Sequence, residues 1–276
     1  MPVRVERPRR LALLAGAVVL LVAAGSALAW TVTSSRGDVG DLLPNLAQAV
    51  PDDLSGRTGG TVVAPRFFLG FESAAANLGA GPLVVLGSRA GVDDPEMALR
   101  QQLRRSDGSF RTVPLRAKLQ YVRSPDHSHW HLLGFMRYEL RAADGARVVR
   151  DRKTGFCLGD RYRAARALPG RTPDLRYSDR CGKGAPRLKS IREGISVGWG
   201  DNYLAHLEGQ ELEITSLEPG RYVLVHRVNP DHDLRESDYT DNAASMAIDL
   251  DWPRGRNEPP RIDVVARCPR TAVCPQ

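Results

Sequence analysis

Lysine is nearly absent from this chain: only Lys118, Lys153, Lys183 and Lys189 appear among 39 basic residues. Each lysine's setting is therefore worth checking. Once the amino terminus is set aside, the net charge gives no sign of clustered basic residues. The net charge of +7 includes +3 from the first ten residues, where Arg4, Arg7, Arg9 and Arg10 face Glu6. The remaining +4 reads as a mild excess spread along the chain, which argues against a nucleic-acid footprint. No Cys-x-x-Cys pair exists, which disfavours a zinc knuckle. No helical period persists beyond two turns, so a helical bundle is excluded. Hydrophobic residues reach 42 %, enough for a core and too many for wholesale disorder.

Residues 1–29 read as an export signal or an uncleaved membrane anchor. Basic residues precede the uncharged run Leu11–Ala29, and Ala27-Leu28-Ala29 offers the small side chains of a cleavage site. The run is about 19 residues long, close to a bilayer span, and Arg9-Arg10 hints at twin-arginine export. Both readings place the bulk of the protein outside the cytoplasm, secreted or anchored on the outer side of the membrane. Cys157, Cys181, Cys268 and Cys274 suit that compartment. Four cysteines allow three connectivities, and nearness favours Cys157–Cys181 and Cys268–Cys274.

Residues 30–60, rich in Ser, Gly, Asp and Pro, are expected to form a linker with one turn of helix around Leu42–Val50. From Thr61 onward, short β-branched or aromatic runs alternate with turn signals, which predicts an all-β, sandwich-like domain over 61–276. Predicted strands include Thr61–Phe71, Gly81–Gly87, Met97–Arg105, Phe110–Leu115, Leu119–Val122, Trp130–Leu140 and Ala146–Cys157, and then Arg192–Val197, Glu211–Thr215, Arg221–Asn229, Ala243–Leu250 and Arg261–Ala266. Asp107-Gly108 and Asp144-Gly145 are placed as hairpin turns, and Glu218-Pro219-Gly220 opens another strand. Residues 159–190, Arg-, Pro- and Gly-rich, interrupt the pattern as a long loop, a length associated with function or disorder. The tail from Trp252 is expected at the surface, pinned by its own disulfide.

Three of the six histidines fall within five residues, His127-Ser128-His129-Trp130-His131. On a strand these alternate positions share one face. Their outer Cα atoms would lie roughly 13 Å apart, so a bend, such as a bulge near Pro125-Asp126, is needed to bring three rings to one ion. A lone histidine on a strand is usually a packing or surface residue; three in alternation reverse that expectation. An all-imidazole site suits copper or zinc and not calcium or magnesium. His206, His226 and His232 lack such spacing and read as structural.

The stretch His127–Leu140, HSHWHLLGFMRYEL, resembles the copper-binding segment of the lysyl oxidase family. Further segments follow in the family's order: KTGFCLGD at Lys153–Asp160, GISVGWGDNY at Gly194–Tyr203, EITSLEPG at Glu213–Gly220, Val228-Asn229-Pro230, and ESDYTDN at Glu236–Asn242. The resemblance covers roughly residues 120–250. It implies copper(II) held by His127, His129 and His131. It also implies a self-derived cofactor, lysine tyrosylquinone, formed from Lys153 and Tyr203, and a disulfide between Cys157 and Cys181. The implied reaction turns primary amines, peptidyl lysine or small amines, into aldehydes with O2, releasing peroxide and ammonia. A quinone is needed because no ordinary side chain offers an electron sink. Lys153 must be neutral to add to it, so burial, adjacent copper or Arg152 would have to lower its pKa. Asp201, two residues from Tyr203, is a candidate general base, although a cap or turn role is at least as ordinary. This chain departs from animal members in having Trp199 and Gly209 where they carry cysteines, and in a longer Lys153–Tyr203 spacer. Two competing readings remain. One is a non-catalytic exported copper-binding β-sandwich. The other is a zinc hydrolase, for which only Asp126 or Glu139 offers a carboxylate. No nucleic-acid partner is expected, and a membrane only through the amino-terminal segment.

Overall fold

A computed structural model describes residues 39–123, 128–150 and 155–275. Among them there is no α-helix, and every strand pairing is antiparallel. In chain order the strands are β1 (Asp41–Leu42), β2 (Leu46–Gln48), β3 (Asp52–Thr61), β4 (Ala64–Asn77), β5 (Leu83–Ser88) and β6 (Glu96–Arg105). Next come β7 (Phe110–Arg123), β8 (Ser128–Leu133), β9 (Met136–Ala142), β10 (Arg147–Arg150), β11 (Gly155–Phe156) and β12 (Tyr162–Arg163). The last six are β13 (Ser190–Ile195), β14 (Trp199–Tyr203), β15 (Glu211–Glu213), β16 (Gly220–Val228), β17 (Ala243–Asp251) and β18 (Arg261–Cys268).

Three sheets result. The first runs β11-β8-β7-β6-β5-β13 with β1 beside β6; the second runs β10-β9-β16-β17-β18. The third runs β12-β14-β4-β15, with β2 and β3 also on β4. Their inner faces share one core. Phe71 of the third sheet meets Tyr138 of the second edge-to-face at 4.8 Å, and Phe156 of the first packs on Tyr138 at 6.2 Å. Such ring pairs add about 0.5–1.5 kcal/mol beyond the area they bury. The Asp107-Gly108 and Asp144-Gly145 turns stand where the sequence placed them, each glycine at positive φ. Both disulfides follow the nearness pairing, Cys157–Cys181 and Cys268–Cys274.

Several expectations need correction. Residues 39–60 carry no turn of helix; they form β1, β2 and most of β3. Leu46 is fully buried, and Leu46–Gln48 pairs with Ala75–Asn77. Burial and cross-strand pairing override the weak strand propensity of a Gly- and Asp-rich segment. The tail beyond Trp252 needs no such correction: the expected strand at Arg261–Ala266 is β18, paired along its length with β17, mostly exposed and followed by the Cys268–Cys274 disulfide. The run Trp130–Leu140 is two strands, because Gly134 at φ 74° turns the chain from the first sheet into the second. Ala146–Cys157 likewise divides into β10 and β11, in different sheets. Conversely, Phe110–Leu115 and Leu119–Val122 join as the single strand β7. Residues 1–38, with the signal or anchor segment, lie outside the described residues.

Candidate active site

Two of the three candidate metal ligands can be placed. His129 and His131 sit on β8, opposite Val122 and Gln120 of β7. Their rings lie side by side, with centroids 4.6 Å apart and planes inclined at 50°. Alternation sends both imidazoles to one face and Trp130 to the other, as the spacing predicted. Trp130 is fully buried, and Arg89 stacks over its ring at 4.7 Å. His131 is buried and His129 half-buried. His127, like Pro125-Asp126 where a bend was expected, lies outside the described residues. Among the described residues no group of three or more His, Cys, Asp or Glu side chains is assembled to hold an ion. The chemistry of the two placed donors fits copper or zinc.

The neighbouring strand presses on this pair. β11 pairs with β8 through Gly155 opposite Leu133 and Phe156 opposite Leu132. A Cβ at Gly155 would lie 2.6 Å from His131 Cβ, so only glycine lets the two backbones approach this closely. Lys153, two residues upstream, lies outside the described residues.

Tyr203 ends β14 and is almost wholly buried, its ring edge-to-face on Phe156 at 4.9 Å. Its hydroxyl donates to the carbonyl of Cys157 and lies 3.2 Å from Asp201 Oδ2. Asp201 and Tyr203 lie two apart on one strand and so share a face. Asp201 belongs to a strand and pairs opposite Ala75, which removes the cap or turn alternative. The short segment Gly155–Cys157 therefore touches both candidate centres: its first residue packs on His131, and its last accepts the Tyr203 hydrogen bond.

Electrostatics around Tyr203 are those of a buried acid cluster. Burial pushes the Asp201 carboxyl up to about 7, against the pull of Arg161. Arg161 Nε stands 2.6 Å from Asp201 Oδ1, and its guanidinium lies 5.0 Å from the Tyr203 ring centroid. Both atoms of that contact lack a well-aligned hydrogen bond, so the attraction is one of charge more than of direction. Burial, then the Asp201 charge, raise the Tyr203 phenol well above its ordinary value. Glu193 on β13 is buried, and its carboxyl is raised by burial. The Leu158 amide donates to its Oε2 at 3.3 Å, while Oε1 has no hydrogen-bond partner. Arg161 and Glu193 were not singled out by sequence, because neither carries a motif and both reach Tyr203 only through the fold.

The other sequence candidates separate cleanly. Glu139 lies on β9 in the second sheet, 2.7 Å from Arg141 and 3.5 Å from Arg147. That double ion pair occupies the only described carboxylate offered for a zinc-hydrolase reading. His226 is fully buried between the Phe71 and Tyr138 rings, and burial lowers it to about 3. It is a neutral core residue, consistent with a structural role.

The sequence matches the lysyl oxidase family over residues 97–254, more than half of the chain, and the protein belongs to that family. Among curated relatives, lysyl oxidase homolog 3B of Danio rerio is 32% identical over 133 residues, 46% of this chain and 14% of its own length. Lysyl oxidase homolog 1 of Homo sapiens is 31% identical over 146 residues, 52% of this chain and 23% of its own. Protein-lysine 6-oxidase of Rattus norvegicus is 30% identical over 146 residues, 52% of this chain and 32% of its own. The match thus spans a third or less of each of these relatives.

Proposed function

We propose that this protein is a copper-dependent amine oxidase of the lysyl oxidase type, acting outside the cytoplasm on primary amines, peptidyl lysine included. The reading rests on one observation above the others. A single three-residue segment, Gly155–Cys157, abuts His131 at one end and holds the Tyr203 hydroxyl at the other. Side-by-side imidazoles and a buried phenol tied to the same piece of backbone suit a tyrosine that is modified at a metal. His127, His129 and His131 would hold copper(II), and Lys153 and Tyr203 would together form lysine tyrosylquinone. Bound copper supplies the redox chemistry that a phenol needs to be oxidised, and the mature quinone supplies the electron sink that carries an amine to an aldehyde.

The chain's own residues have the remaining tasks. Cys157 fixes the phenol oxygen through its carbonyl, and Phe156 fixes the ring edge-on. Asp201, at about 7, is balanced to accept a proton near neutrality, as a general base requires, and lies within hydrogen-bond reach of the Tyr203 oxygen. Arg161 offsets the carboxylate charge that would otherwise oppose ionisation of the phenol. In this reading residues 1–29 export or anchor the chain, and the sheets form a sandwich-like catalytic domain.

The test is amine-dependent release of hydrogen peroxide by copper-loaded protein, for which n-butylamine and a lysine peptide serve as substrates. Wild type should release peroxide, and Tyr203→Phe should not while still binding copper. Equal peroxide from both proteins would refute the assignment of Tyr203.

A further inference from the structure

The positive charge of this protein is not spread evenly; it is gathered on one loop beside the candidate site. Residues 159–190 hold seven arginines and two lysines against three aspartates, a net +6. The first ten residues carry +3 of the total of +7, so every other position together carries −2. Seven of the nine loop cations are exposed, and among the described residues none of those seven pairs with a carboxylate. Unpaired cations held together repel one another, an arrangement that an anionic partner relieves.

The loop is fastened to the site at both ends. Gly184 donates to the carbonyl of Ser128, between two candidate ligands, at 2.7 Å, and Trp130 donates to Cys181 at 2.8 Å. The Trp130 indole donates to Ala185, and the Cys157–Cys181 bond closes the base. At its other end Arg161 lies against Tyr203 and Asp201. Arg180, Lys183 and Arg187 are therefore exposed on the stretch that is bonded to the histidine strand.

A protonated amine approaching such a rim alone is repelled. One flanked by carboxylates is drawn in. We infer that the rim at 159–190 docks an acidic polypeptide segment, and that the amines served by this site are lysines flanked by Asp or Glu. The second half of that statement rests on the amine-oxidase reading; the first does not. A polypeptide suits the loop better than a nucleic acid. Its two rings, Tyr162 and Tyr177, are half-buried and offer no stacking platform, while Leu175 is 61% exposed for a side-chain contact.

Two measurements on the full copper-loaded chain test this. The first is binding of labelled poly-L-glutamate, which contains no lysine. Wild type should bind it, and both the Arg180→Glu/Lys183→Glu/Arg187→Glu variant and its Gln counterpart should bind at least about 10-fold more weakly at low salt, with the contrast fading above the screening range. The second is peroxide release from Glu-Glu-Lys-Glu-Glu and Arg-Arg-Lys-Arg-Arg peptides, where kcat/KM should favour the acidic peptide by about 10-fold or more at low salt. Poly-L-glutamate binding without peroxide from any amine would uphold the docking surface and remove the oxidase reading. Equal binding by wild type and both variants, tighter binding of a charge-matched DNA strand, or a preference for the basic peptide would overturn the inference.

Discussion

Gly155→Ala adds one methyl group at the most crowded point between β8 and β11. The new Cβ would stand 2.6 Å from His131 Cβ and 3.1 Å from its Cγ and Nδ1. Carbon atoms prefer about 3.5–4.0 Å, so the gap is short by about 1 Å. Rotating His131 does not help, because its Cβ moves only with the backbone. The two strands must part, with an overpacking cost of about 1–3 kcal/mol. For a compact unit running from Asp38 to Gln276, each kcal/mol lowers the melting temperature by about 2–4 °C. Thermal unfolding of the apo protein should therefore show a drop of about 4–8 °C for a cost of 2 kcal/mol. Copper(II) titration should show weaker binding, since the displaced ring is one of the proposed ligands. Gly56→Ala, where an added Cβ meets nothing within 4 Å, is the control and should leave both unchanged. If Gly155→Ala melts and binds copper like wild type, the steric argument linking β11 to the site is wrong.

Asp201→Asn should lower amine oxidation by about 10²–10⁴-fold and remove the rise in rate through pH 7 that an ionising carboxyl of that pKa gives the wild type. The same substitution should remove a slope in stability. A carboxyl raised in the folded state holds its proton there after the unfolded chain has lost it. The contribution of Asp201 to stability therefore falls as pH rises from about 4 to about 7, and replacing it should shift the pH slope of the urea midpoints across that range toward rising stability. His226 acts in the opposite sense, because its folded value of about 3 lies below the unfolded one. Its contribution is present above about pH 6.5 and lost on acidification, by up to about 1.4 kcal/mol per pH unit. His226→Phe should remove that acid-side loss; an unchanged difference between midpoints at pH 4.5 and pH 7 would contradict the assignment of His226 as a buried neutral ring. Cys157→Ser, which opens a link between residues 24 apart, should cost about 3.5 kcal/mol by chain entropy. Chemical unfolding of the non-reduced protein measures it directly.

Much of the fold was legible because antiparallel strands leave a local signature: alternation, β-branched runs and Asp-Gly turns. Where it was not legible, the determining partner was remote. β3 reads Asp-Asp-Leu-Ser-Gly-Arg-Thr-Gly-Gly-Thr, with no strand propensity, and exists because β4 pairs with it from Glu72 to Ala64. Sheet switching at Gly134 was hidden because an apolar run looks the same whether it stays in one sheet or crosses to another. The histidine alternation and the Asp201–Tyr203 pair were readable because both span two residues on one strand. Arg161, Glu193 and Gly155 were not, since each acts on a residue dozens of positions away or through steric closeness alone. The charge reading failed for a related reason: a net value of +4 conceals a +6 loop set against a slightly acidic remainder.

Amine oxidation at the proposed site requires the joining of Lys153 to Tyr203. Copper-loaded protein exposed to air, digested and analysed by peptide mass, should yield one species in which the Lys153 and Tyr203 peptides are covalently linked. That species should be missing from Tyr203→Phe and from protein kept free of copper. Recovery of both peptides separate and unmodified from copper-loaded wild type would contradict it.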